Sequence, residues 1–292
     1  MGRPALVGRP SLVEAIGVHA DAVTRVLARA DQAESLPALG GMARPDGVVI
    51  VSERFWAFAH QDGSVHEGRM LRSTHWAARI PFLRGLVRLT ASLSPLFRRR
   101  GAARPGERWL LGAALLAPLT LVLLPEQVAF AAGLAVTLGL VGLLLRGRTL
   151  FLHGAEHRAI MAAEQRLMSA TWGGEARPTR FAPRCGTNFA VLVFPVAFLA
   201  QRYWPIPAAF YTPLAVSVAS LAFTMELWRI VQSGRRWTRL LLLPGLALQR
   251  LTTQEPRLDE TRLALTALAS VLSRELPPTL DPPVSAAAGR SS

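Results

Sequence analysis

The sequence predicts a mainly α-helical, polytopic membrane protein with about four transmembrane helices and a small β-containing cytoplasmic N-terminal part. Three observations carry this expectation. Four long apolar segments occupy residues 109–124, 128–145, 188–204 and 206–227, near the ~20 residues that cross a bilayer. Arginines bracket them: ten lie from Arg69 to Arg108, seven from Arg146 to Arg184 and five from Arg229 to Arg250, whereas the connector after the first segment has none and that after the third has only Arg202. The chain is also 51% apolar with a mean hydropathy of +0.29. Basic residues stay on the cytoplasmic side, so the chain is expected in the inner membrane, multi-pass, with both termini and residues 146–187 cytoplasmic.

The elements follow in order. Residues 1–40 read as a helical arm, with Val13, Ile16, Val23, Val26 and Leu27 at roughly helical spacing. Residues 41–78 hold β-formers, Val48 to Val51 and Phe55 to Phe58, and a turn signal at Asp62-Gly63, which predicts a hairpin or three-stranded sheet over 44–70. Residues 79–108 mix arginine with apolar residues at helical spacing and suit a helix in the membrane interface. The first transmembrane hairpin covers 109–145, the cytoplasmic loop 146–187, the second hairpin 188–228, a C-terminal cytoplasmic segment 229–276 with a short helix at 263–272, and a disordered tail 277–292, rich in Pro, Ala and Ser.

All 33 basic residues are arginine, giving a net charge of +14. Charge of that kind also suits nucleic acid, but such arginines would gather on one face instead of flanking apolar segments, so no nucleic-acid partner is expected. Cys185 is the only cysteine, which excludes an intrachain disulfide. No secretory signal is expected.

The chemistry concentrates in the run Phe151 to His157. On a helix, at ~100° per residue, His153, Glu156 and His157 share one face. Two imidazoles at i, i+4 can bind one metal ion and a neighbouring carboxylate can move a proton; H-x-x-E-H is the inverted zinc-protease spacing. Glu164 continues the same stripe about two turns on. Cys185 is a further candidate ligand and Glu226, near the end of the fourth apolar segment, another. The expected divalent ion is Zn²⁺, with Fe²⁺ or Mn²⁺ as alternatives, a thiolate favouring zinc. Glu156 reads as general base or as an orienting partner of a histidine. Arg184 reads as the residue that holds an anionic substrate group. His19, His60, His66 and His75 show no ligand spacing.

HGAEH at 153–157 and PRCGT at 183–187, with PFLRG at 81–85, LQRLTTQEP at 248–256 and the run Met42 to Gly47, resemble the YqhQ-like family of uncharacterised bacterial membrane proteins, described as metal-dependent enzymes. The resemblance covers roughly residues 40–272. It implies a polar centre of His153, Glu156, His157, Glu164, Arg184, Cys185 and Glu226. This chain departs from the family pattern at Leu152 and Ala163, where Tyr is usual, at Arg158, where Lys is usual, at Ala182, where His is usual, and at Leu39-Gly40, where a Glu-Gly pair is usual.

Two functions are therefore expected in competition. One is a metal-dependent hydrolase at the cytoplasmic membrane surface, with membrane lipid as a partner and an amphiphilic or anionic substrate such as a lipid, a prenyl carrier or a membrane peptide. The other is a non-catalytic scaffold or transporter component in which the His/Glu cluster is structural. The sequence leaves the substrate and the oligomeric state open.

Overall fold

The computed structural model describes residues 12–71, 76, 79–97, 101–103, 105–109, isolated positions between 112 and 142, 147–206, 211–232 and 240–276. The hairpin expected over 109–145, apart from those isolated positions, and the tail expected over 277–292 lie outside the described residues.

An antiparallel meander forms the N-terminal part. Its strands are β1 (Gly40–Arg44), β2 (Gly47–Val51), β3 (Phe55–His60) and β4 (Val65–Arg69), in the spatial order β1-β2-β3-β4. The turn signal at Asp62-Gly63 operates as expected: Gly63 adopts φ +88° and the Asp62 carboxylate accepts the Ser64 N–H at 2.8 Å. The sheet has one strand more than the sequence predicts. Gly40 and Gly41 have weak strand propensity, but pairing with Val51 and Ile50 holds them in β1. Strand alternation divides β2 between two apolar clusters. Val48 and Ile50 join Ala57 and Ala59 on one face, whereas Val49 and Val51 join Trp56 and Phe58 on the other.

The first of these faces is covered by helices. Helix α1 (Leu12–Gln32) contributes Val23, Leu27 and Ala30 to the core. Helix α2 (Leu83–Phe97) lies apart from this core, against the helical hairpin described below. Helix α3 (Arg148–Gln165), which carries HGAEH, is buried almost all round through Leu152, Ala155, Ala159, Ala162 and Ala163. Its small side chains let the sheet and neighbouring helices approach closely. The region expected as a cytoplasmic loop, 146–187, is therefore built around a central core helix. Arg166, at φ +59°, ends it by turning its N–H back to Ala163 O. Asp31 at the end of α1 accepts the N–H groups of Met168 and Ser169, both at 2.9 Å, and so starts α4 (Met168–Gly173).

Next in the chain come α5 (Gly186–Arg202), α6 (Thr212–Val231) and α7 (Leu243–Thr252). Helices α5 and α6 form a hairpin, with α2 against α6 and α7 against α5. Phe194, Phe198 and Phe223 stand on its outside, 69%, 69% and 53% exposed, an apolar surface of the kind found at membrane or protein contacts. Among the described residues one helix, α6, is long and apolar enough to cross a membrane. Helix α5 has 17 residues and contains Pro195. The last helix, α8 (Leu258–Glu275), is longer than the expected 263–272, because the Glu260 carboxylate accepts the Arg257 N–H at 2.8 Å and caps an earlier start. Leu265, Leu268 and Leu272 on α8 complete the core beneath the sheet.

Candidate metal centre

Helix α3 presents His153 and His157 one turn apart, their rings 4.4 Å between centroids. Each imidazole is oriented by a backbone carbonyl. Nδ1 of His153 lies 2.8 Å from Thr252 O and Nδ1 of His157 lies 2.6 Å from Arg180 O. A carbonyl can only accept, so both Nδ1 atoms carry the proton and both Nε2 lone pairs are free to bind a cation. Nε2 of His157 is buried with no hydrogen-bond partner among the described residues. Leaving such an atom unsatisfied is costly in a folded interior, and a metal ion would satisfy it.

The third member comes from another part of the chain. Cys185 Sγ sits 3.4 Å from His153 Nε2, and the candidate ligand atoms of His153, His157 and Cys185 all lie within 4.8 Å of one another. Tetrahedral zinc, with bonds of ~2.0–2.3 Å, needs ligand separations of about 3.3–3.8 Å, so a small contraction closes the set. Cys185 is the N-cap of α5, its Sγ accepting the Thr187 N–H at 3.3 Å. Buried amides hold its loop. Gln249 both accepts from Ala182 N–H at 3.0 Å and donates to Ala182 O at 2.9 Å, and Asn188 donates to Ala182 O and Pro183 O at 3.1 and 2.9 Å. Arg158 ties down both carbonyl-bearing segments, donating to Pro178 O at 3.0 Å, Pro256 O at 3.4 Å and the Glu255 carboxylate at 2.5 Å.

Glu156 lies beside this cluster, its carboxylate 4.0 Å from His153 Nε2. Burial raises its pKa to about 8. Burial, then the neighbouring His153, lowers that of His157 to about 3, against the opposing effect of the Arg180 carbonyl. Burial lowers the His153 pKa as well and pushes the Cys185 thiol up to about 11, more than the Thr187 bonds offset. At neutral pH these shifts favour the uncharged forms throughout the cluster: two neutral imidazoles, a thiol and a protonated carboxyl. A cation entering it would reverse that preference and draw out the thiolate and the carboxylate. The cluster opens to a cavity of about 250 Å³.

Two residues expected in the site stand elsewhere. The Glu164 carboxylate pairs with Arg184 at 3.2 Å. It does share the helix face, but seven residues past His157 is ~10 Å along the axis, too far to share an ion. Glu226 accepts two bonds from Arg84, at 2.7 and 2.5 Å, and one from the Phe82 N–H at 3.1 Å. It fastens the start of α2 to α6, which accounts for the PFLRG run. Arg184 does line the cavity, with its guanidinium half-exposed and engaged by Glu164. The sequence left Arg180 and Asn188 without a role, and the family resemblance implied for Gln249 and Thr252 only a place in a polar block near the membrane surface, the run Gln249 to Thr253. Two of them act through backbone carbonyls, which have no sequence signature; Asn188 and Gln249 were the available signal, as buried amides in apolar surroundings.

Residues 137–274 match the family described as "Protein of unknown function (DUF1385)". The matched stretch contains His153, Glu156, His157 and Cys185, together with the Thr252 and Arg180 carbonyls that orient the rings. It leaves out the sheet. No curated protein matches this chain, and no solved structure does.

Proposed function

We propose that this chain is a metal-dependent hydrolase of the YqhQ-like kind, working at the cytoplasmic surface of the inner membrane. His153, His157 and Cys185 would hold Zn²⁺, the thiolate favouring it over Fe²⁺ or Mn²⁺. The ion would supply Lewis acidity at the fourth position. Glu156 would take a proton from the attacking water and return it to the leaving group, and Arg184, released from Glu164, would receive an anionic part of the substrate.

The observation that carries this reading is the buried, unpartnered Nε2 of His157, facing a second carbonyl-oriented imidazole and a thiol. A structural zinc clamp would close with four protein ligands. Here Glu164 and Glu226 stand away from the cluster and are held by arginines, and Glu156, the carboxylate beside it, lines the cavity. That favours catalysis over a scaffold. Membrane attachment is supported by α6, by the exposed apolar hairpin and by the arginines flanking the apolar segments, which also favour a four-span arrangement with both termini cytoplasmic. Cys185 starts α5, so the metal centre would sit at the foot of the hairpin, near the headgroups.

The test is metal content after purification in detergent. One zinc per chain is expected, falling below about a tenth in His153→Ala, His157→Ala and Cys185→Ala. Zinc content unchanged across the three variants would refute the assignment.

A further inference from the structure

Among the described residues, strand β1 is an edge of the sheet, paired only with β2. Across a two-residue turn the flanking pair, Arg44 and Gly47, is the hydrogen-bonded one. The alternation then turns the N–H and C=O groups of Ala43 and Gly41 outward. Among the described residues, no backbone hydrogen bond reaches those groups. An unpaired edge of this kind is a template for another extended chain.

The edge lies beside the metal centre. Residues 39–43 line the same cavity as His153, Glu156, His157 and Cys185, and no residue of β2 does. The cavity therefore borders β1 and not β2. The approach is close because Gly41 lacks a side chain: a Cβ there would stand 2.7 Å from Glu156 Cγ and 2.8 Å from its Oε1. Glu156 thus lies directly beneath the strand, on its helix-covered face, and a further strand ~4.8 Å outward would run beside the cavity that β1 borders.

From this juxtaposition we infer that the substrate is a polypeptide in extended conformation, which adds to β1 as a fifth strand and brings one of its own peptide bonds over the cluster of His153, His157 and Cys185. The inference rests on the metal-site reading above and names its substrate class. In the reaction, water adds across the amide. The water oxygen bonds to the carbonyl carbon, the C–N bond breaks, and Glu156 passes the water proton to the departing amine. No other co-reactant is needed.

The test compares three ligands that share one zinc-binding group on the zinc-loaded, full-length chain in detergent micelles: acetohydroxamate, a mixed pool of hexapeptide hydroxamates and palmitoyl hydroxamate. Added strand bonds should make the hexapeptides at least ~30-fold tighter than acetohydroxamate. N-methylating alternate peptide amides should abolish most of that gain. Ala43→Pro, which removes an outward N–H at a position an edge strand tolerates, should do the same while zinc content holds. The ligand-side methylation decides the matter if that variant does not fold. Hexapeptides no tighter than acetohydroxamate, indifference to N-methylation, or tighter binding of the palmitoyl compound would overturn the polypeptide assignment and leave the zinc site standing. A chain that takes up no zinc would overturn both.

Discussion

Replacing Gly154 by alanine probes how closely the helix that carries His153 and His157 is packed. An alanine Cβ at that position would meet the Gln254 carbonyl oxygen at 2.1 Å and Pro256 Cδ at 3.2 Å, where ordinary contact begins at 3.4 Å. The obstacle is backbone, and it is anchored to the same helix: the Gln254 N–H donates to Leu150 O at 2.9 Å, and the Thr252 carbonyl orients His153. The 252–256 segment must therefore shift as a unit. Overpacking of this kind costs ~1–3 kcal/mol, and loosening the Gln254 bond adds about 1 kcal/mol. Alanine recovers about 1 kcal/mol through its better helix propensity. The net expectation is a loss of roughly 2 kcal/mol, or ~4–8 °C in Tm at this size. Moving the Thr252 carbonyl off His153 should also weaken zinc binding ~10–100-fold. Thermal unfolding by circular dichroism, with and without chelator, and zinc titration against a competing chelator measure both. Gly186→Ala, at a helix start with open space around it, serves as the control and should be neutral to stabilising, by up to about 1 kcal/mol. A Gly154→Ala protein as stable as the wild type, or more so, would show helix propensity winning and refute the packing argument.

Other perturbations separate the parts of the site. In the chelated protein, Glu156 has its folded pKa raised to about 8 from 4.5, so its contribution is full below pH 4.5 and is lost as pH rises through 8; Glu156→Gln should remove that alkaline loss in unfolding curves taken from pH 5 to 9. The His157 pKa is lowered from 6.5 to about 3, so its contribution is present above pH 6.5 and lost as pH falls towards 3; His157→Gln should flatten the acid limb. Gln249→Ala leaves the Ala182 N–H buried and without its Gln249 partner, while Asn188 still holds the carbonyl; it should cost ~1–3 kcal/mol and reduce zinc affinity, both readable in the same titrations. Glu226→Gln should loosen α2 from α6 and lower the unfolding temperature in detergent with zinc stoichiometry unchanged; loss of zinc would return Glu226 to the metal centre.

Much of the centre was legible in the chain because helical spacing is a local property. His153, Glu156 and His157 share a face wherever that helix sits, and the β-formers at 48–51 and 55–58 pair whatever covers them. Glycine-rich β1 was not legible: its strand character comes from Val51 and Ile50 across the ladder. The length of α8 was hidden for a similar reason, since its start depends on a single capping carboxylate.

Face-sharing is a statement about angle alone. It promoted Glu164 as readily as His157, although the helix rise carries that carboxylate out of reach and into the hand of Arg184. Charge near an apolar segment likewise singled out Glu226 without revealing that Arg84 holds it. Local pattern, then, was enough to establish a histidine pair with a carboxylate beside it, and arginine-flanked apolar helices. Packing alone brought Cys185 from 32 residues away, aimed both rings with carbonyls, and set β1 beside the cavity. Convergence of distant backbone is set by the whole core, and no window of sequence contains it.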